Sequence, residues 1–187
     1  MIGWTASVSI EAAAEAGDRE LEKEAWLSAT LLDWGSCGKI AYVDSLPAGY
    51  LTYAPPAHVP RSLAFPTSPV SGDAVLLMTA TVLPEFREGG LARVLVQTVA
   101  KDLTRRGVRA IEAFGRAGPV EDGPGAPTCV VPAEFLLAVG FKTVRPHHRF
   151  PRLRLDLRTA VSWRADVEVA LERLLGSMSP EPAFRPV

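Results

Sequence analysis

Cysteine is nearly absent: the 187 residues include only Cys37 and Cys129. Two thiols make no disulfide framework. No CxxC or HxxxH spacing accompanies them, so a zinc site has no ligand set, and no metal is expected. No long uninterrupted apolar run occurs either, which excludes a transmembrane helix and any membrane partnership based on one. The opening MIGWTASVSIEAAAEAG lacks the basic and apolar regions of a secretory signal. The expectation is a cytoplasmic protein with free thiols. Lysine is scarce: Lys23, Lys39, Lys101 and Lys142 are the only ones among 20 basic residues. With the heavy alanine usage, this bias reads as GC-rich coding rather than function. An excess of one charge sign is missing as well, since 21 acidic residues leave a net charge of −1. A surface built wholly for nucleic acid is thereby disfavoured, though a local basic patch is not. Neither GxxxxGK[ST] nor GxGxxG occurs, so a nucleoside-triphosphate loop and a dinucleotide fold both lack their signatures. No internal repeat is present.

What is present is ordinary globular composition, 48% apolar and 22% charged in 20.1 kDa. A chain of this size buries roughly 70% of its unfolded surface, enough for one self-sufficient core. The expectation is one domain over residues 1–176, with a core at 18–157, and a tail at 177–187 without order of its own.

Periodicity lays out the elements. Residues 2–10 suggest an edge strand. Residues 18–34 read as a helix with Leu21, Ala25 and Leu32 near one face, stopped by Gly35. Strands at 39–43 and 48–54 form a hairpin, with Asp44 and Pro47-Ala48-Gly49 supplying its turn chemistry. Five prolines in 55–73 forbid regular structure there. Such a stretch is either a lid or binding loop, or an inert surface excursion. Residues 74–83 (AVLLMTATVL) are the most strand-like run, continuous and apolar as in a strand buried on both faces. A helix follows at 90–106, with Leu91, Val94, Leu95, Thr98, Val99 and Leu103 as its apolar stripe. Then come a strand at 108–114, a loop region at 115–131 and a short helix at 132–139 with Pro132 at its first position. Strands at 141–144 and 153–157 follow, the second strictly alternating between a buried face and a wet one. An amphipathic helix at 162–176 carries Trp163, Val167, Leu171 and Leu174 on one side. It either docks on the domain or forms a homodimer contact. Crossovers in the middle imply parallel pairing, and the hairpins imply antiparallel edges. The class is α/β (α+β): one central mixed sheet with helices on both faces.

The chemistry concentrates at residues 81–95, TVLPEFREGGLARVL. A buried strand ends, a glycine-bearing turn follows and a long helix starts. The first helical turn has unpaired N–H groups and about half a positive charge. Glycine lets a ligand approach the backbone with no Cβ in the way. The product is an anion site of the pyrophosphate-binding kind. Arg87 and Arg93 add charge-assisted contacts to phosphate oxygens.

The pattern Arg87-x-x-Gly90-x-Ala92, set between strand and helix, resembles the acetyl-CoA loop of the GNAT superfamily of N-acetyltransferases, Arg/Gln-x-x-Gly-x-Gly/Ala. The next strand (AIEAF) and the helix ending Leu-Leu-Ala-Val-Gly-Phe match too, so the likeness covers about residues 18–157. It implies the GNAT fold and an acetyl-CoA-dependent acyl transfer to a primary amine. The backbone of Val82 and Leu83 would pair with the pantetheine arm, and a bulge in that strand would offer an N–H to the thioester carbonyl. The backbone N–H groups of Arg87, Glu88, Gly89, Gly90, Leu91 and Ala92 would hold the pyrophosphate. The family commonly carries a Tyr acid four residues before the Gly of the Gly-Phe pair. Leu136 stands there and cannot donate a proton. Another group or water then protonates the thiolate, or the protein binds acyl-CoA without turnover.

The substitute candidates are Glu112, Cys129 and Glu134. Glu112 is a mid-strand carboxylate suited to deprotonating the amine, or else a salt-bridged structural residue. Cys129 is a thiol near the coenzyme sulfur, or a small buried hydrophobe. Glu134 is an acid, or a carboxylate favouring the helix dipole. His58, His147 and His148 read as loop residues, while Tyr42, Tyr50 and Tyr53 line an acceptor cleft or pack the core. The basic run 142–154 suits an anionic acceptor or nucleic acid, or is a solvated strand face. The acceptor is a small molecule, a peptide N-terminus or a lysine; loops 55–73 and 115–131, which build that side, do not distinguish these.

Overall fold

The computed structural model describes residues 19–118 and 130–157. The strand expected at 2–10, Cys129, the helix expected at 162–176 and the tail 177–187 lie outside those residues. Helix α1 spans Arg19–Asp33, and a hairpin joins β1 (Gly38–Val43) to β2 (Leu46–Ala54). Strand β3 (Ala74–Val82), helix α2 (Leu91–Arg105) and strand β4 (Ala110–Phe114) form a crossover unit. Helix α3 (Ala133–Ala138) and strands β5 (Lys142–Arg145) and β6 (Arg152–Asp156) complete the order. The sheet runs β1-β2-β3-β4-β6-β5. Its β3–β4 pair is parallel and its other pairs are antiparallel. This is the mixed α/β sheet expected from the sequence. No helix among the described residues is long and apolar enough to cross a membrane.

Local chemistry explains several boundaries. Gly35, at φ +98°, ends α1 with its N–H on the carbonyls of Thr30 and Leu31. The side of α1 that meets the sheet differs from the expected one. Leu21 and Leu32 are exposed, whereas Trp26, the fully buried Thr30 and Trp34 turn inward at four-residue spacing. The two tryptophans offer more apolar area than the leucines, and the Trp26 indole donates to the His58 carbonyl at 2.8 Å. The hairpin turn is also tighter than expected. Asp44 and Ser45 both have positive φ, +47° and +67°, as a two-residue hairpin loop demands. Pro47, Ala48 and Gly49 therefore belong to β2, where the register shifts at a bulge opposite Ala41/Tyr42. A Cβ on Gly49 would stand 2.7 Å from the Thr81 carbonyl oxygen of β3, so only glycine fits that crossing.

Two cores cover the two sheet faces. On one, Leu95, Val96, Val99, Ala100 and Leu103 of α2 pack with Leu136 and Phe141 over Val75, Leu77, Ile111 and Leu153. The stripe of α2 is displaced around the helix from the expected one: Val96 and Ala100 are buried, while Val94 and Thr98 face out. Both sets satisfy a 3–4 residue spacing, and only docking on the sheet selects between them. On the other face, the Pro-rich segment 55–73 forms two short 3₁₀ helices, Pro56–His58 and Pro60–Ala64. Val59 and Val70 are buried against Leu76, Met78 and Phe114. Phe65 stacks on Phe114 with ring centroids 4.4 Å apart, and the Thr67 hydroxyl donates to the Phe150 carbonyl. The segment is a packed cap over the sheet, neither a loose excursion nor a detached lid. Pro132 is the N-cap of α3 rather than its first residue. The alternation in β6 holds for Leu153 and Leu155, which are buried. Arg152 and Arg154 on its other side meet Glu112 instead of water.

Candidate functional site

Strands β3 and β4 stay together over only three residue pairs, from Ala74↔Ala110 to Leu76↔Glu112. Beyond Leu76, β3 runs on to Val82 with β2 on one side, and no described strand pairs with its other edge. The register against β2 also shifts between Thr52 and Tyr53, which face Thr79 and Leu77, so Met78 is the extra residue of a bulge. The result is a wedge that opens toward the C-terminal ends of β3 and β4.

Backbone alternation decides which groups face the wedge. The Leu83 N–H donates to the Ala48 carbonyl at 2.9 Å, and the Leu83 carbonyl accepts from the Phe86 N–H. In an antiparallel pair the next residue back must then point its N–H and C=O the other way. Val82 does so, its carbonyl accepting from Arg87 Nε at 3.3 Å, and Ala80 shares its direction. Leu83 is therefore corrected: its amide already bonds to β2 and cannot pair with a ligand. Ala80 and Val82 are the residues whose backbone groups face away from β2. The signal was present in the alternation, counted back from the turn.

The corner past β3 is a 3₁₀ turn, Pro84–Gly89, followed by Gly90 as the N-cap of α2 at φ +70°, ψ +10°. The left-handed conformation favours glycine. A Cβ there would meet nothing within 4 Å, so the space above it is open. The N–H groups of Arg93 and Val94 close on the Gly90 carbonyl. The amides of Leu91 and Ala92 precede those bonds and point out of the helix end. Arg87 is exposed beside them. Arg93 is a correction: its Nη2 donates at 2.7 Å to the carbonyl of Ala138, the last residue of α3. It caps a neighbouring helix rather than facing the corner.

The proposed acid–base residues fare differently again. Glu112 is fully buried on the face opposite α2 and α3, among the residues beneath the Pro-rich cap. Its Oε1 accepts from Arg154 at 3.1 Å, and its Oε2 accepts the Ser71 N–H at 3.1 Å and lies 3.4 Å from Arg152. A carboxylate so engaged is a structural ion-pair partner, which corrects its reading as a base for the amine. Arg154 also grips Asp73 with both terminal nitrogens, at 3.0 and 2.9 Å. That bond holds the Asp73 carboxyl below the usual carboxylate range. Glu134 is exposed on the first turn of α3, and Leu136 is fully buried in the core, with no polar atom on its side chain. Tyr53 is buried too, its hydroxyl donating to Asp102 at 3.3 Å, while Tyr42 is exposed. Burial, chiefly, pushes the Tyr53 phenol up. Nδ1 of His147 accepts the N–H groups of Arg149 and Phe150, building the β5–β6 turn, and His58 pairs with Asp33 at 3.0 Å. Within the basic run, Arg145 donates to the Ser68 carbonyl, and Arg152 and Arg154 serve Glu112. This internal use weighs against a nucleic-acid surface there. A cleft of about 330 Å³, lined by Trp34, Pro55, Asp73, Val108 and Arg109 among others, lies at the opposite end of β3 from the glycine corner.

No family model matches the chain, and no curated protein matches it in sequence. Solved structures match it in fold. The PaiA N-acetyltransferase of Thermoplasma acidophilum, crystallised with coenzyme A, superposes with a TM-score of 0.52 at 12% identity, covering 82% of this chain and 84% of that one. Another acetyltransferase gives a TM-score of 0.51 at 18% identity, over 79% and 84% of the two chains. An acetyltransferase assigned to the GNAT family, from Desulfovibrio desulfuricans, gives 0.46 at 22% identity, over 75% and 82%.

Proposed function

We propose, from the premise that this chain has the GNAT N-acetyltransferase fold, that it binds acetyl-CoA in the β3–β4 wedge and passes the acetyl group to a primary amine. The observation that carries the reading is the continuity of the open edge at Ala80 and Val82 with the outward amides of Leu91 and Ala92 beside the left-handed Gly90. An extended amide-bearing chain suits the first, and a diphosphate suits the second. Arg87 adds a positive charge beside the diphosphate. The backbone of Arg87, Glu88 and Gly89 belongs to the same turn.

In this reading the amine nitrogen attacks the thioester carbonyl carbon, a C–N bond forms, the C–S bond breaks and the sulfur takes up a proton. The chain's part is positioning and carbonyl polarisation at the bulged strand. Water takes up the proton that the nitrogen loses and supplies the one the sulfur gains, because the candidates among the described residues are not placed to do so. Glu112 is engaged by arginines and Leu136 has no proton to give. Cys129 lies outside the described residues, and Glu134 faces solvent. The acceptor is a small-molecule amine or a peptide, in a cytoplasmic setting.

Leu136 favours a second reading, an acyl-CoA-binding module without turnover. Calorimetry with coenzyme A and release of free thiol across a panel of amines separate the two. Micromolar binding with amine-dependent thiol release supports the transferase. Binding with no release over the whole panel supports the module, and no binding at millimolar coenzyme A removes both.

A further inference from the structure

The wedge raises a mechanical question. Two neighbouring strands that part after three residue pairs leave backbone groups unpaired, and continued pairing is the ordinary alternative. The bulge at Met78 turns β3 aside, and groups at the closed end hold the two strands where they begin to part.

The closed end is straddled by charge. Glu112 is the last β4 residue paired with β3, opposite Leu76. Its two oxygens are engaged by Arg154 and Arg152 of β6 and by the Ser71 N–H. Arg154 bridges onward to Asp73, the residue immediately before β3 begins. Ser71 and Asp73 are the exit of the Pro-rich cap, and the Ala74 N–H closes on the Ser71 carbonyl. One cluster of two carboxylates and two guanidiniums therefore fastens the entry to β3, the branch residue of β4 and the neighbouring strand β6. Glu112 is fully buried, and a buried ion cluster commonly adds less stability than well-packed apolar side chains of similar volume. Charges demand fixed directions that apolar contacts do not.

We infer that the Asp73–Arg154–Glu112–Arg152 cluster is a positioning device: it sets the angle at which β3 leaves β4, and thereby the fit of the acyl-CoA arm along Ala80 and Val82. The inference rests on the acetyl-CoA reading above. None of the four side chains touches the ligand in this account; they act through the strands.

The test replaces charge by packing in the full chain. Glu112→Met, Arg152→Leu and Arg154→Leu are combined, and thermal unfolding and coenzyme A affinity are measured against the parent. The expected result is a melting temperature at or above the parent's with coenzyme A binding weakened at least tenfold. Thiol-release kinetics should show a raised KM for acetyl-CoA with a smaller change in kcat. Binding within twofold of the parent in the folded triple variant overturns the inference and leaves the acyl-CoA reading standing. Failure of the parent itself to bind coenzyme A overturns that reading, and the inference falls with it. If the triple variant does not fold, Glu112→Gln decides by the same comparison: tenfold weaker binding in folded protein supports the device, and unchanged binding overturns it.

Discussion

At its first residues β3 is paired with β4, β2 joins it at Leu76, and it is buried from Ala74 through Met78 and flanked by charged side chains. At its last residues the same strand is paired on one side, half-exposed, and turned into a corner whose amides face outward. The first half is built by side chains meeting across long sequence separations. The second is built by backbone geometry: a bulge at Met78, alternation from Ala80 to Leu83, and a left-handed glycine. Backbone geometry of this kind is set within a few residues, and that is why a short Arg-x-x-Gly-x-Ala pattern is enough to mark the corner. The rigidity of the first half rests on residues whose roles the pattern does not mention.

That contrast can be broken at the open end first. Gly90→Val puts a β-branched residue at φ +70° and fills the space above the corner. Coenzyme A affinity should fall by roughly 100-fold, about two steps of 1.4 kcal/mol, measured by calorimetry. The urea midpoint should fall as well, because a β-branched residue is strained at φ +70° whatever the space around its Cβ, so affinity is compared in protein shown to be folded. Normal binding by this variant would remove the glycine corner as the phosphate site.

Arg93 sharpens the boundary between scaffold and site. Its bond to the Ala138 carbonyl predicts that Arg93→Ala lowers stability by about 1 kcal/mol and leaves coenzyme A affinity within about twofold. A tenfold weaker affinity in a titration would return Arg93 to the phosphate corner.

The smallest effect belongs to the closed end. Hydrogen bonding to Arg154 lowers the Asp73 pKa in the folded chain, so folding is favoured by its ionised form. The stabilisation is fully present above the unfolded value, about pH 4, and is lost as pH falls through the lower folded value. Asp73 is well exposed, which keeps the effect modest. In acid titrations followed by circular dichroism, Asp73→Asn should show a shallower loss of stability below about pH 4 than the parent. An unchanged acid slope would mean that the bond to Asp73 contributes nothing to the clamp.

Much of the fold was legible along the chain. The continuous apolar run of β3, the helix after Gly90 and the glycine stops at Gly35 and Gly107 follow from local rules, and the structure bears them out. The corner was legible too, because helix ends and glycine act within a few residues. Two readings turned on partners far along the chain. Glu112 stood open between a base and a salt-bridged residue because its partners, Ser71 and Arg154, stand 41 and 42 positions away. Arg93 looked like a phosphate ligand because Ala138 stands 45 positions away. The inward face of α1 is set by Trp26 and Trp34, whose partners His58 and Tyr53 lie elsewhere in the chain, and leucine spacing carries no mark of them.

By itself the amino-acid sequence determined the order of the elements, the parallel crossover at the centre of the sheet and the glycine-led helix start that follows β3. Those properties arise from hydrophobic period, β-branching and the permissive φ of glycine, which act over a single turn or strand. Only the tertiary structure decided where β3 and β4 part, which backbone edge is left open and which charges are engaged in holding it. Such choices depend on groups brought together across the fold, and a guanidinium or carboxylate carries no local mark of the partner it will meet.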